Sequence, residues 1–429
     1  RIVRLLGVTQ VIVVITKIDL VDADLLALVK EEIEDFIAQS GFARAPVVCV
    51  SNETGEGIGE VKKAICQSIA VAEPSADQRA FRMYVRDVFS VKGYGTIATG
   101  VPCAGRIAVG AHLELLPAGR ISRVRAIQTY RQDAQETGAH LSSAINLRDL
   151  QQLDLSRGMV LGAPGVYRAV SAALVWVKND CDISRAQRSL KRRAELRFHS
   201  GTASTVAALE LITGSELDAG EEGFALLRFR QPIVICAGDR FVLRMLSPAD
   251  TLGGGVVLSA NPPKRLRNVV FFADRLRRSL TAVEQGDFLG AELLAGARSV
   301  IHEEMLSSLA QTDKQAARAL IGAKEKSGEV VMLAEGRWLV RERLEEIVLL
   351  LKKLLQRYHR ENKYVWGMKP AHVTELLNLP PNSFALLQQL LGGDAEFAVK
   401  HGHLALKTFT PAINEREMKL RDAVIERVK

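Results

Sequence analysis

The sequence predicts a multidomain chain: part of an α/β domain, then two antiparallel β-barrels, then tandem winged-helix modules. Three observations predict it. A continuous β-branched run at Val11–Ile15 is followed by apolar residues at helical spacing, the alternation of a parallel α/β sheet. From Phe81 to about Asn261 the texture changes to short alternating segments, broken by glycine or proline about every ten residues. Beyond that, helices followed by a small hairpin occur twice in the same order.

The elements follow in order. Val11–Ile15 reads as a strand buried on both faces. Leu25, Leu26, Val29, Ile33, Phe36 and Ile37 mark a helix, with Asp22 or Asp24 as its cap and Gly41 as its stop. Val47–Val50 is the next buried strand, and Val61, Ala64, Ile65 and Ile69 line the next helix. A linker at Glu73–Gln78 ends this part. Phe81–Val85, Thr96–Thr99 and Ile121–Ile127 are barrel strands, and Pro262-Pro263 close the barrel region. A basic linker follows, carrying Lys264, Arg265, Arg267, Arg275, Arg277 and Arg278 against one acid, Asp274. Thr312 then caps a helix running to about Lys326, and Glu335-Gly336 turns a hairpin. Leu344–Tyr358 is the next helix, with a break at Pro380-Pro381-Asn382 and a second hairpin turning at His401-Gly402. Asn414–Lys429 starts another helix. The expected domains are therefore residues 1–74, 79–168, 169–262, 268–340, 341–408 and 409–429.

Bulk properties agree with several packed cores, since 48% of the 429 residues are apolar. No apolar run is long enough to span a bilayer, and no signal peptide opens the chain. Five cysteines, odd in number and without metal-ligand spacing, read as reduced cytosolic thiols. The net charge of +8 suits a polyanionic partner and suits a merely soluble basic protein equally well. A first residue of arginine, in what reads as the last turns of a helix, suggests a fragment or a processed product.

Thr16-Lys17-Ile18-Asp19 follows directly on the first strand, at the end where α/β sheets bind ligands. An aspartate there accepts two hydrogen bonds from guanine nitrogens, while the lysine stem covers the base. Adenine leaves the carboxylate without that pair of donors, a penalty on the order of 1–3 kcal/mol. Alone, the four residues are equally well an ordinary helix cap. The second strand adds Ser51-Asn52-Glu53-Thr54-Gly55-Glu56-Gly57, a polar glycine-rich loop whose N–H groups suit a base carbonyl. Together the two loops resemble the Asn-Lys-x-Asp and Ser-Ala-x base-recognition motifs of GTPases, with Thr16 in place of the usual asparagine. Thr16, Lys17, Asp19, Ser51 and Asn52 are thereby implicated in holding the base of GTP. No Gly-x-x-x-x-Gly-Lys-Ser/Thr loop occurs in the chain, nor does an Asp-x-x-Gly segment in its α/β part. By the resemblance these parts of a P-loop-type G domain hold phosphate and Mg²⁺, so this chain by itself is expected neither to bind a triphosphate tightly nor to hydrolyse it.

Phe81-Arg82-Met83-Tyr84-Val85, the stretch Asp87–Thr96, Thr99-Gly100, Gly105-Arg106-Ile107, Val124–Gln128, Ala144-Ile145-Asn146-Leu147 and Arg157-Gly158 resemble the second domain of translation factors. Leu196–Thr202, Gly238-Asp239-Arg240-Phe241 and Thr251–Gly255 are similar to the third domain of selenocysteine-specific elongation factors, and winged helices after them fit that family. The resemblance spans the chain. It implies a cytoplasmic, GTP-dependent factor that brings selenocysteinyl-tRNA to a ribosome decoding UGA, with an mRNA hairpin gripped by outer winged helices. In the family an Asp-Arg pair and a further arginine line the aminoacyl pocket. Here the pair is transposed to Arg86-Asp87, and Ser142 stands in the second arginine's place, with His140 nearby as a substitute. A selenolate needs cationic partners, so either the pocket uses Arg86 and His140 differently or the chain is a paralogue with another amino acid. The inner winged helices read as an RNA grip or as a spacer, and Tyr358, Tyr364 and Trp366 as stacking platforms or core. Lys264, Arg265 and Arg267 are the candidates for nucleic-acid phosphates. Two rival readings stand beside this one: another translational GTPase, and an RNA- or DNA-binding protein that has lost nucleotide turnover.

Overall fold

The computed structural model describes residues 2–39, 41–42, 44–71, 78–91, 95–148, 150–180, 189–248, 250–262, 269–296, 300–376, 396–400, 402–411 and 415–428. It divides into two compact units. One is Arg1–Gly296 with Ser308–Asp313, and the other is Ala297–Ser307 with Lys314–Lys429.

In the first unit the strands Val13–Ile15 and Val47–Cys49 pair in parallel, with Ile15 opposite Cys49. The helices Ala23–Gln39 and Ile58–Val71 follow them. Asp22 is the cap of the first helix: its carboxylate accepts the Leu25 N–H at 2.8 Å. The expectation of strands buried on both faces does not hold. Val14 is 37% exposed, because the two strands make up the whole of this sheet among the described residues. The short helix Ile2–Leu5 lies on the second β-domain, where Leu5 is buried and Arg4 pairs with Asp180.

The first β-domain is a nine-stranded antiparallel sheet rather than a closed barrel. Its hydrogen-bonded path runs from Asp87–Val91 through Gly95–Gly100, Ser143–Leu147, Arg120–Thr129, His112–Leu116, Val160–Gly162 and Arg82–Tyr84 to Pro102–Ala104. The path does not return on itself among the described residues. Gly95–Gly100, second on the path, runs on into Pro102–Ala104 at its far end, and Pro102 has no N–H to give a ladder. Phe81, Met83, Val85, Leu113, Leu115, Ile127, Ile145 and Leu161 fill its interior. The second β-domain is a closed six-stranded barrel built from Ala169–Asn179, Glu222–Val234, Ala203–Leu211, Arg193–Ser200, Arg240–Arg244 and Thr251–Ser259. Its core centres on Phe198, which stacks on Phe241 at 5.1 Å and meets Phe229 edge-on at 5.0 Å. The glycine run in the last strand has a steric cause. A Cβ at Gly255 would stand 1.9 Å from the Trp176 carbonyl oxygen, so only a bare backbone fits between the neighbouring strands.

A buried ion pair joins sheet to barrel. Arg82 is 1% exposed, and its guanidinium grips Asp239 with both terminal nitrogens, Nη1 to Oδ2 at 2.9 Å. Asp239 also accepts the Cys236 N–H at 2.9 Å and the Tyr84 hydroxyl at 3.3 Å. The Arg82 guanidinium lies 5.3 Å from the ring centre of Tyr167. Burial alone would lower the Arg82 pKa, but the Asp239 carboxylate, with smaller help from Cys103, Cys236 and Tyr84, holds it above its ordinary value. Burial pushes the Cys236 thiol up to about 12.

After the barrel the structure departs from the expected linker and from a winged helix opening at residue 268. Val269–Glu284 and Phe288–Ala295 are two helices of the first unit, and they pack on the barrel. Leu276, Leu280 and Val283 recur at helical spacing and meet Leu174, Phe224, Leu226 and Leu258. Lys264, Arg265 and Arg267 lie outside the described residues. Glu292 locks the second of these helices to the end of the barrel, accepting from the Ser259 hydroxyl at 2.7 Å, the Ala260 N–H at 2.8 Å and the Asn261 amide at 3.2 Å. Thr312 does not cap the following helix with its side chain: its hydroxyl donates to the Gln78 carbonyl at 3.2 Å.

In the second unit Ile301–His302, Arg337–Val340 and Val330–Ala334 form a three-stranded antiparallel sheet, with the helix Lys314–Lys326 against Val330–Ala334. The helix Arg341–Glu361 buries Ile347, Leu351 and Leu355 against Met368, Val373, Phe397 and Leu404. Tyr358 packs into this core, whereas Tyr364 is exposed. The hairpin Phe397–Lys400 with His403–Leu406 and the helices Pro370–Leu376 and Glu415–Val428 are the other described elements of the unit. The break expected at Pro380-Pro381-Asn382 lies outside the described residues.

Burial pushes the Glu292 carboxyl above its ordinary 4.5, against the opposing pull of its three hydrogen bonds. The folded state therefore holds a proton that the unfolded chain has already released, and stability falls as pH rises from 4.5 through the raised value. Thermal melts of wild type and Glu292→Gln between pH 4 and 8 check this, about one pH unit per step: the wild-type barrel transition should decline across the window, and the variant should lose that decline.

Candidate functional site

Two groups of sequence-predicted residues are brought together in the first unit. The first group lies at the carboxyl ends of the parallel strands. Lys17 takes a left-handed conformation (φ 63°, ψ 38°) and opens the single turn Ile18–Leu20, which places Asp19 in the first turn after the strand. The Ile18 N–H donates to the Val50 carbonyl at 3.3 Å, so the two loops are hydrogen-bonded to one another. Thr16, Lys17, Asp19 and Asn52 are all exposed, leaving their side chains open to a ligand.

Ser51 differs from the other four. It is fully buried, and its hydroxyl accepts from the N–H groups of Glu53 and Thr54, both at 3.2 Å. Its own N–H donates to the Glu56 carbonyl at 3.0 Å, and its carbonyl accepts from Gly55 at 3.0 Å. Ser51 thus shapes the loop, and Asn52 is the residue that the loop presents. Gly57 closes the turn with φ 75°, where a Cβ would stand 1.8 Å from the Cys49 carbonyl oxygen. Of the base-binding candidates, the structure brings together Lys17, Asp19 and Asn52 at the surface, with Ser51 beneath them.

The second group converges on the corner Thr99–Pro102 of the nine-stranded sheet. The Arg86 N–H donates to the Thr99 carbonyl at 2.8 Å, and Asp87 is the strand partner of Thr99. The His140 N–H donates to the Pro102 carbonyl at 2.9 Å, with His140 itself in a left-handed conformation (φ 69°). Ser142 sits next to Ser143, whose strand partner is Gly100. Two pairs of residues distant from each other in sequence, Arg86-Asp87 and His140 with Ser142, thus meet at one stretch of backbone. The Arg86 guanidinium pairs with Asp87 at 2.9 Å, both side chains being exposed. A cleft of about 350 Å³ opens beside this corner, lined by Tyr84, Arg86, Val101, Cys103, Thr202 and Arg240 among others. Its floor is the Arg82–Asp239 pair.

In the sequence Arg82 and Asp239 stand out only as marks of the fold. The available signal was a charge inside the apolar run Phe81–Val85. In that run Phe81, Met83 and Val85 face the sheet interior, and Arg82 and Tyr84 are buried by the barrel. Among the described residues no group of three or more His, Cys, Asp or Glu side chains is disposed to hold a metal ion. Among the described residues no helix is long and apolar enough to cross a membrane.

Ser51→Ala removes the acceptor of two N–H groups, as loss of an N-cap does, at a cost of about 1 kcal/mol. The Glu53 and Thr54 amides should then exchange with solvent faster, while those of Val47–Cys49 stay protected; hydrogen exchange followed by NMR reads both.

Comparison with known proteins follows the same lines. Residues 179–264 match the family model for the β-barrel domain of selenocysteine-specific elongation factors. The selenocysteine-specific elongation factor of Desulfomicrobium baculatum is 34% identical over 259 residues, covering 60% of this chain and 40% of that protein. Its namesake from Escherichia coli (strain K12) is 26% identical over 297 residues, covering 69% of this chain and 46% of that protein. The chain thus spans less than half the length of these curated relatives. A crystal structure of the bacterial selenocysteine-specific elongation factor EF-Sec superposes with a TM-score of 0.66 at 22% identity, covering 99% of this chain and 66% of its own. The apo form of SelB from Methanococcus maripaludis gives 0.51 at 22% identity, covering 58% of each chain. By these matches the chain is similar to the selenocysteine-specific elongation factors, and its residues 179–264 match the β-barrel domain of that family.

Proposed function

We propose that the chain is the central part of a cytoplasmic, GTP-dependent elongation factor that delivers selenocysteinyl-tRNA to the ribosome at UGA codons. One observation carries the nucleotide part of this reading: Lys17 and Asp19 stand beside Asn52 on two hydrogen-bonded loops at the same end of a parallel strand pair. The residues present fit the base half of a GTP site. Asp19 would accept from the guanine ring and exocyclic nitrogens, Lys17 would lie along the base, and the loop shaped by Ser51 would offer backbone N–H groups to the base carbonyl. In this reading residues 1–74 are the second half of a G domain, and Mg²⁺ belongs to a phosphate half with no counterpart in these 429 residues. GTP, when bound, supplies the energy that closes such factors on their tRNA. The two helix-and-hairpin arrangements of the second unit are read as winged helices that space or extend an mRNA-binding arm. The likeness of this chain to proteins named for selenocysteine supports the choice of tRNA.

A second reading has its own observation. Arg86 pairs with Asp87, and a selenolate beside that carboxylate meets repulsion where it needs a cation. On this reading the corner Thr99–Pro102 receives a different aminoacyl group, and the chain belongs to a divergent paralogue.

Two measurements on the full-length factor test these readings. Filter binding with selenocysteinyl-tRNA, seryl-tRNA and an ordinary elongator tRNA should show preference for the first. Loss of that preference with tRNA binding kept would select the paralogue, and no tRNA binding at all would reject both. Asp19→Asn should cut the preference for GDP over ADP by roughly ten-fold or more, from the 1–3 kcal/mol of lost pairing. Equal wild-type affinity for guanine and adenine nucleotides would contradict the base assignment.

A further inference from the structure

We infer that the cleft beside the corner Thr99–Pro102 is a binding site for a phosphate group, held between Arg86 and Arg240. Its volume of about 350 Å³ is that of a small-molecule site, and its lining carries three arginines against one aspartate. Arg82 and Asp239 satisfy one another in the floor. Arg86 and Arg240 are the cations left to a ligand.

The other polar side chains of the lining already donate within the protein. The Thr202 hydroxyl donates to the Val85 carbonyl at 2.7 Å, and the Ser200 hydroxyl to the Arg240 carbonyl at 2.9 Å. The Tyr84 hydroxyl donates to the Val234 carbonyl at 3.1 Å, and the Cys103 thiol to the Arg82 carbonyl at 3.4 Å. The two guanidiniums differ. Asp87 takes only the Nε of Arg86, at 2.9 Å. Among the described residues neither the Nη atoms of Arg86 nor any side-chain nitrogen of Arg240 has a hydrogen-bond partner. Gly7 packs against the Arg240 guanidinium, which limits its freedom before a ligand arrives.

The side-chain donors open to the cleft are therefore planar forks, and the ligand that suits them is an oxyanion. A phosphate has oxygens enough for two guanidiniums at once, whereas one fork takes up both oxygens of a carboxylate. Val101, 46% exposed, gives the rest of a small phosphate ester an apolar wall. The phosphate can belong to a free small molecule or to a nucleic-acid backbone, and the choice of probe separates them. The site uses none of the base-recognition loops and does not rest on the tRNA reading.

Calorimetric titration of the 429-residue chain with inorganic pyrophosphate, a short oligouridylate and citrate tests this, with NMR shifts to locate the binding. Pyrophosphate should bind and move the Val101 and Thr202 signals. Arg240→Gln and Arg86→Gln should each weaken it about ten-fold or more, and Arg228→Gln, outside the cleft, should leave it unchanged. Binding of the oligouridylate alone, with the same dependence on Arg86 and Arg240, would assign the phosphate to a nucleic-acid backbone. The site is overturned if neither phosphate probe binds, if the shifts fall elsewhere, if citrate binds as tightly, or if Arg228→Gln weakens binding as much. Should Arg240→Gln fail to fold, the wild-type shifts and Arg86→Gln decide.

Discussion

The Arg82–Asp239 pair is the constraint on which the first unit depends. It is buried, it is gripped at both terminal nitrogens, and its two halves belong to different β-domains. Removing one partner of such a pair strands a charge out of water, at about 3–5 kcal/mol, whereas apolar replacement of both is often neutral. Its contribution is therefore geometry more than net stability. Arg82 leads along the chain to Arg86 and Asp87 at the corner, and Asp239 leads to Arg240 on the other wall of the cleft. Fixing the one pair fixes the distance between both walls. Cys236 and Tyr84 serve the same carboxylate, so the pair is also the centre of a small polar cluster walled by Val160, Val166 and Tyr167.

Much of the architecture was legible in the residues, and the failures have physical causes. The β-branched run at Val11–Ile15 and the helical spacing of Leu25 to Ile37 each mark a real element, because local pattern decides their type. Burial of the strands depends on how many neighbours a sheet has, which a single strand does not encode. The closed barrel and the nine-stranded sheet share one alternating texture, and closure is a matter of long-range pairing. After Pro263 the run of charges hides the helical period that Leu276, Leu280 and Val283 carry. A hydroxyl before a helix usually caps it, but the partner of Thr312, Gln78, is remote in sequence.

The candidate sites divide in the same way. Lys17, Asp19 and Asn52 belong to short motifs at strand ends, where sequence and position go together. Ser51 carried the motif but turned out to support the loop from below, a distinction that only burial reveals. Arg86, Asp87, His140 and Ser142 gather at one corner through backbone pairing with Thr99, Gly100 and Pro102, which no spacing along the chain announces. The transposed Arg-Asp order leaves Arg86 paired with its own neighbour.

A double-mutant cycle on Arg82→Met and Asp239→Asn tests the central claim most directly, with unfolding of the first unit as its readout. Each single change should destabilise by about 3 kcal/mol or more, and the double variant should be at least as stable as either single. Losses that simply add would show that the two side chains act independently, and the pair would then not be what seats the sheet on the barrel.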